Sequence, residues 1–284
     1  MKKSNYYYAL IIGVDSLIGN ALYRRLTSDG QLVAGTTRHP NLKHLIFDLA
    51  DLEKINDLPF ARYVFICAGV NGFKACEENT FLATKVNFVS TCQIAKHFMK
   101  LGSHVVFFSS SSVFGSNKSF PMEDAIVDPN TNYGRLKVLA EQQMRNDALY
   151  CGSGKLTIVR LTKAIESLAG LLDSWINKAR SGEIIEAFND LFLCPVSLEY
   201  ILNSTVEICQ NGLGGVIHLS GSKIMSYYDF AKFHQTNGLL NNANIIGIPS
   251  RDLSKLHIGQ CISLGMDRTK KLLMSDPENL RMIN

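Results

Sequence analysis

The feature that most constrains this 284-residue chain is a regular exchange between two hydrophobic periods over its first 162 residues. Short apolar runs fall at Tyr6–Ile12, Gln31–Thr37, His44–Phe47, Tyr63–Cys67, His104–Phe108 and Leu156–Leu161. A run that is apolar on consecutive positions reads as a strand covered on both faces. Between these runs lie stretches with helical spacing: Leu17, Ile18, Ala21, Leu22 and Leu26, then Glu77–Lys100, then Tyr133–Asn146. Strands that alternate with helices make a parallel sheet, because each crossover carries a helix back over one face. An α/β fold is therefore expected. After Thr162 the alternation loosens, with helices expected near Leu171–Arg180, at Leu198–Gln210, from about Ser226 and at Asp267–Leu273, and a strand at Val216–Leu219.

The first strand runs into Gly13-Val14-Asp15-Ser16-Leu17-Ile18-Gly19, and the first helix follows. A tight glycine turn there lets backbone N–H groups approach a pyrophosphate at a helix N-terminus. An ordinary strand–helix turn has the same composition. Its place after the first strand of an alternating chain favours the dinucleotide reading, which assigns Gly13, Ser16, Leu17, Ile18 and Gly19 to the cofactor. The fold expected is thus a Rossmann-type doubly wound parallel sheet. Residues 1–162 would form its dinucleotide-binding domain, and residues 163–284 a smaller α/β substrate lobe with segments interleaved into the first. Ser16 stands where a middle glycine is usual and suits a helix cap; Asp15 has to turn away from a diphosphate.

The second strand ends in Thr36-Thr37-Arg38, and no acid lies between Gly30 and Leu45. An acid there would serve the ribose 2′-hydroxyl of NAD, whereas Arg38 matches a 2′-phosphate. NADP(H) is therefore favoured over NAD(H). Asp48, followed by Leu49, either accepts from the adenine amino group or forms a turn or helix cap. Ala68 and Gly69 close the fourth strand on the cofactor side.

Tyr133-Gly134-Arg135-Leu136-Lys137 places a phenol and an ammonium on one helix face. A tyrosine titrates near pH ~10 unperturbed, and a fixed cation nearby favours its phenolate. Lys137 is therefore expected to lower the Tyr133 pKa, and also to hold the cofactor ribose. Phe107-Phe108-Ser109-Ser110-Ser111-Ser112-Val113-Phe114-Gly115 leaves the C-terminal end of a core strand, the side on which open α/β sheets bind ligands.

In this order, these motifs resemble the extended short-chain dehydrogenase/reductase family. The resemblance rests on Gly13/Ser16/Gly19, Asp48, Val86-Asn87-Phe88, Ser109-Ser110 with Val113-Phe114-Gly115, and Tyr133 with Lys137. It implies Ser110, Tyr133 and Lys137 as catalytic residues and Asn87 as a support of the active-site architecture. Ser16 for glycine and Phe114 for tyrosine depart from the family pattern. The chain looks most like the dTDP-4-dehydrorhamnose reductase-type, sugar-nucleotide-binding branch, through Arg38, Asn189-Asp190, Pro195-Val196 and Gly214-Gly215-Val216-Ile217-His218-Leu219-Ser220-Gly221. That resemblance implies a keto-sugar reductase acting on a nucleotide sugar, held between the sheet's C-terminal edge and the second lobe. Two alternatives share the frame: an epimerase or dehydratase with tightly held NAD(P), and a catalytically idle dinucleotide-binding regulatory subunit. A homodimer through the helices of Asn87 and Tyr133 is also implied.

Other classes are disfavoured. Lys and Arg number 29 against 25 Asp and Glu without runs of like charge, so neither nucleic acid nor a membrane surface is expected as partner. The 7 Cys are scattered, without C-x-x-C, which suits reduced thiols in a cytoplasmic protein rather than a disulfide framework or zinc site. The apolar run after Lys2-Lys3 ends at Asp15 without a cleavage motif, so no leader is expected. No metal is expected. The 7 His have no metal-ligand spacing and read as surface or partly buried polar groups, and Trp175 as packing in the smaller lobe.

Overall fold

In the computed structural model, which describes residues 6–40, 43–115, 120–250 and 263–277, the expected alternation becomes a sheet with one topological reversal. The chain runs through β1 (Tyr7–Ile12), α1 (Leu17–Ser28), β2 (Val33–Thr37), β3 (Leu45–Ile46) and β4 (Ala61–Ile66). It continues through α2 (Phe73–Glu78), α3 (Thr80–Thr84), α4 (Thr91–Lys100), β5 (His104–Ser110), α5 (Asn132–Ala148) and β6 (Lys155–Leu161). Then come α6 (Ala169–Ser181), β7 (Ile185–Phe188), β8 (Phe192–Leu193), α7 (Leu198–Gln210), β9 (Gly215–Leu219), β10 (Met225–Ser226), α8 (Tyr227–Thr236), β11 (Ile245–Ile248) and α9 (Asp267–Leu272). Seven strands form a parallel sheet in the order β3-β2-β1-β4-β5-β6-β9. The order reverses between β1 and β4, and such a reversal opens a crevice at the C-terminal strand ends. Gly13 leaves β1 and Cys67-Ala68-Gly69 leave β4 at that crevice.

The strand sequences are apolar on both faces because both faces are covered. On β1, Leu10 and Ile12 pack with Ile94, Phe98, Ala140 and Met144 on one side. Ala9 and Ile11 pack with Leu22, Leu26, Ile201 and Ile208 on the other. The seventh strand comes from the second half of the chain. A separate core, with Trp175 and Phe230 among its buried members, lies under two small sheets, β7 with β11 and β8 with β10. These four strands were not anticipated: each has two to four residues, too few for a period to be legible.

Two expectations are corrected. The single helix expected at Glu77–Lys100 begins earlier, at Phe73, and is broken at Asn79, whose side chain accepts from the Leu82 N–H and caps a new start. It then widens into a π turn at Lys85–Ser90, where the Thr91 hydroxyl donates to the Val86 carbonyl. Such turns recur at functional sites, and this one carries Asn87. The histidines are not uniformly superficial. His104, His218 and His234 are buried, and burial lowers the pKa of the first two to about 4. His104 pairs with the Thr157 hydroxyl and His218 with the Gly265 carbonyl, so they serve as neutral hydrogen-bonding groups.

Candidate active site

The turn after β1 is closed by its own side chains. Gly13 has a left-handed φ of 91° and its N–H donates to Thr36 Oγ1 at 3.1 Å. Ser16 Oγ donates to the Gly13 carbonyl at 2.8 Å and accepts from the Gly19 N–H at 3.1 Å, so the serine does cap α1. A Cβ on Gly19 would stand 2.1 Å from the Gly13 carbonyl oxygen, and one on Gly13 2.6 Å from Ala68 Cβ. Among the described residues, the Leu17 and Ile18 N–H groups have no backbone acceptor, which leaves two donors at the positive end of a twelve-residue helix. Gly19→Ala is accordingly expected to cost about 1–3 kcal/mol of stability from overpacking and to weaken dinucleotide binding by roughly tenfold or more. Urea unfolding and fluorescence titration measure the two effects.

One cavity of about 600 Å³ opens beside this turn. Its walls include Gly13, Ser16, Arg38, Asp48, Leu49, Ala68 and Gly69, so these residues assigned from sequence to the cofactor come together there, whereas Leu17, Ile18, Tyr133 and Lys137 line a neighbouring cleft and Gly19 lines neither. Asp48 Oδ1 accepts from the Ala50 N–H at 2.8 Å, the turn role foreseen for it, while its side chain still faces the cavity. Asp15 sits at the rim, 3.5 Å from His39 Nε2, a neighbour that offsets its charge when protonated.

A second cleft, of about 490 Å³, lies on the other side of the turn and shares Ser16, Ala68 and Asn71 with the first. Leu17 and Ile18 form part of its wall, with Ser110, Tyr133 and Lys137 opposite. Ser110 ends β5; its hydroxyl accepts from the Ser112 N–H and donates to Ser112 Oγ, both at 3.1 Å. Thr131 caps α5, and Gly134 lets its first turn press onto the serine segment: a Cβ there would meet the Ser112 carbonyl oxygen at 2.1 Å. Tyr133 thereby faces Ser110. Lys137 Nζ donates to the Phe108 carbonyl at 2.9 Å and lies 5.7 Å from the Tyr133 ring centroid. Asn87 clamps the loop after β4, accepting from the Val70 N–H at 2.7 Å and donating to its carbonyl at 2.9 Å.

The electrostatics differ from the sequence expectation. Burial pushes the Tyr133 phenol up to about 12, helped by the Cys76 thiol and opposed by its hydrogen bond with Ser110. Lys137 does not lower it. Burial instead brings Lys137 down to about 8, against the pull of the Glu141 carboxylate. Both groups are enclosed by protein, and the loss of hydration disfavours the charged form of each. At neutral pH the phenol is fully protonated and the lysine is mostly charged.

Sequence reasoning did not single out several groups that line the second cleft. Phe73 stands edge-on to Tyr133, with centroids 6.0 Å apart and planes at 79°. Phe192 and Tyr227 reach the cleft from the smaller lobe, beside Lys163. Only spatial proximity distinguishes them; Tyr227 directly follows the Ser226 capping box, an ordinary helix start. Among the described residues no cluster of His, Cys, Asp or Glu is arranged to hold a metal ion, and no helix is long and apolar enough to cross a membrane.

Residues 8–254 match the family of the RmlD substrate binding domain. The chain belongs to that family. It is 25% identical over 239 residues to a probable low-salt glycan biosynthesis reductase of Haloferax volcanii, covering 79% of this chain and 78% of the relative. It is 22% identical to the methionine adenosyltransferase 2 subunit beta of Xenopus tropicalis, covering 78% and 69%. Among solved structures, the fold is shared with dTDP-4-dehydrorhamnose reductase of Bacillus anthracis in complex with NADP (TM-score 0.76, 16% identity, 88% and 86% covered). It is shared also with MoeE5 in complex with UDP-glucuronic acid and NAD (TM-score 0.79, 19% identity, 93% and 92% covered). The RmlD-type family chain thus has the Rossmann-like sheet expected from its sequence.

Proposed function

We propose that this RmlD-type protein is an NAD(P)H-dependent oxidoreductase that reduces a keto carbon of a nucleotide sugar, in the synthesis of a polysaccharide or glycan. The observation that carries this reading is the convergence of Ser110, Tyr133 and Lys137 on one cleft that adjoins the glycine-turn cavity. The two compartments meet at Ser16, Ala68 and Asn71, which suits a dinucleotide laid across the turn. The Leu17 and Ile18 N–H groups, which have no backbone acceptor among the described residues, fit its pyrophosphate. Gly13, Ser16, Leu17, Ile18, Gly19, Arg38, Asp48, Leu49, Ala68 and Gly69 would hold it, with Tyr133 and Lys137 near its ribose. When bound, a nicotinamide dinucleotide supplies the hydride.

The chain's own residues manage the proton and the charge. Tyr133 gives its phenolic proton to the carbonyl oxygen as that oxygen becomes an alkoxide. Ser110 rotates its hydroxyl from Ser112 to donate to the same oxygen. Lys137, tied to the Phe108 carbonyl beside the phenol, places its ammonium where it can hold the dinucleotide ribose. Burial pushes the phenol up to about 12, so it carries the proton to be transferred at neutral pH. The second reading is an idle dinucleotide-binding subunit, kept because one relative at 22% identity is a subunit of a larger enzyme, methionine adenosyltransferase 2. The discriminating experiment is NADPH oxidation with a panel of 4-keto nucleotide sugars: stoichiometric consumption supports the reductase, and none with any of them, while NADPH binds, supports the idle subunit.

Two further outcomes are expected. Arg38 lies at the wall of the adenosine-side cavity and is exposed, free to reach a 2′-phosphate. Arg38→Ala should raise the Kd for NADPH by roughly tenfold to a hundredfold and leave that for NADH nearly unchanged, as read by titration with both. Turnover should fall as pH rises through about 8, where Lys137 loses its proton. The sign for stability is opposite. The Lys137 pKa is lowered from its usual 10.5, so the unfolded chain holds the extra proton between about 8 and 10.5, and this residue's contribution to stability improves with pH across that window.

A further inference from the structure

Along α5, Tyr133, Lys137 and Glu141 follow one another at four-residue intervals and so share a face. Each engages the end of β5. Tyr133 meets Ser110, Lys137 Nζ donates to the Phe108 carbonyl, and Glu141 Oε1 accepts from Ser109 Oγ at 2.6 Å. The first two rungs belong to the site already described. In the third, Ser109 borders the cleft while Glu141 stands behind it, fully buried at 0% exposure. Resting on the reading just proposed, we infer that Glu141 is a positioning residue: its carboxylate ties the strand exit bearing Ser110 to the helix bearing Tyr133 and Lys137, and supplies the anion that Lys137 faces on that helix.

The carboxylate is itself held in place. Arg160 of β6 grips it in bidentate fashion, Nε to Oε1 at 3.0 Å and Nη2 to Oε2 at 2.7 Å, and Arg145 reaches Oε2 at 3.2 Å. Arg160 Nη1 bonds the Glu123 carbonyl and His218 Nε2, both at 3.3 Å. His218 donates from Nδ1 to Gly265, while the Glu123 carboxylate accepts from the Thr269 N–H and hydroxyl. The rung that sets Ser109 is thereby anchored to β6, to β9 and to residues 263–269. A misplacement of about 1 Å in a reacting group costs on the order of a hundredfold in rate, so a rung one residue from Ser110 has kinetic weight. The groups facing Lys137 are Glu141 and Tyr133 on its own helix, Cys76 on α2, Cys67 after β4 and the Phe107 ring at 4.5 Å. Glu141 is the carboxylate among them, and its field favours the ammonium.

The test uses the full chain with Ser109→Ala and Glu141→Gln. Ser109→Ala removes the rung but leaves the charge; Glu141→Gln removes the charge. For Ser109→Ala, kcat should fall roughly tenfold to a hundredfold with KM changed by about twofold at most. The pH midpoint for acylation of Lys137 by acetic anhydride, followed by mass spectrometry, should not move. For Glu141→Gln, that midpoint should move lower by roughly half a unit or more, and the alkaline limb of NADPH affinity should move with it. Wild-type kcat in Ser109→Ala, or an unmoved Lys137 midpoint in folded Glu141→Gln, overturns the inference. If Glu141→Gln does not fold, the kcat and KM of Ser109→Ala decide. Acylation needs no turnover, so a wild-type protein that reduces no keto sugar would sink the proposed function while the Lys137 midpoint still judged Glu141.

Discussion

Tyr133→Phe is expected to slow keto-sugar reduction by roughly 10²- to 10⁴-fold, the range a positioned proton donor contributes. The substitution removes one oxygen atom. The ring that stands edge-on to Phe73 remains, as does the Lys137 bond to the Phe108 carbonyl. NADPH affinity should therefore change little, and kcat and kcat/KM should fall together, the mark of an interaction made only in the transition state. Steady-state NADPH oxidation with a 4-keto nucleotide sugar reads the rate, and fluorescence titration the binding. Ser110 still donates to the alkoxide in the variant, which sets a floor under its activity. A Tyr133→Phe protein as fast as the wild type would remove the proton donor from the mechanism. If neither form consumes NADPH, the idle-subunit reading gains.

The sheet was legible because burial on both faces leaves little freedom in strand composition. Leu10 and Ile12 had to suit one helical layer and Ala9 and Ile11 the other, and only an uninterrupted apolar run does both. The glycine turn was legible for a related reason: Gly13 and Gly19 approach the backbone too closely for any side chain. The Ser110, Tyr133 and Lys137 constellation was recognisable from motif order, and its proximity then follows from Gly134 against Ser112. The protonation states were not legible. Four-residue spacing brings an ammonium near a phenol, but the sign of the phenol's shift depends on how much protein surrounds both groups. Nor was the break at Asn79, where a side-chain cap competes with helix continuity, or the role of Glu141, whose partner Arg160 lies nineteen residues away on another element.

That ion pair gives the largest stability effect expected. Arg160 and Glu141 are 1% and 0% exposed, and removing one partner of such a pair leaves a buried charge with too few donors. Arg160→Met should destabilise the fold by about 3–5 kcal/mol, against a total of about 5–15 kcal/mol for a typical domain. The exposed pair of Arg25 and Asp29, whose side chains are 41% and 43% accessible, sets the contrast: solvent screening holds its worth to about 0–1 kcal/mol. Methionine fills much of the arginine volume, so cavity formation is a small part of the cost. The dominant loss is of hydrogen bonds to Glu141, joined by those to the Glu123 carbonyl and His218. Adding Glu141→Leu removes the stranded carboxylate, and the double variant should regain much of the deficit, because replacing both ions by apolar groups is often near neutral. Urea midpoints at constant m-value measure both steps. The double variant should be the more stable of the two and still slow at catalysis, since Ser109 has lost its anchor. Equal instability of single and double variants would mean that packing around Arg160, rather than its charge, holds this layer together.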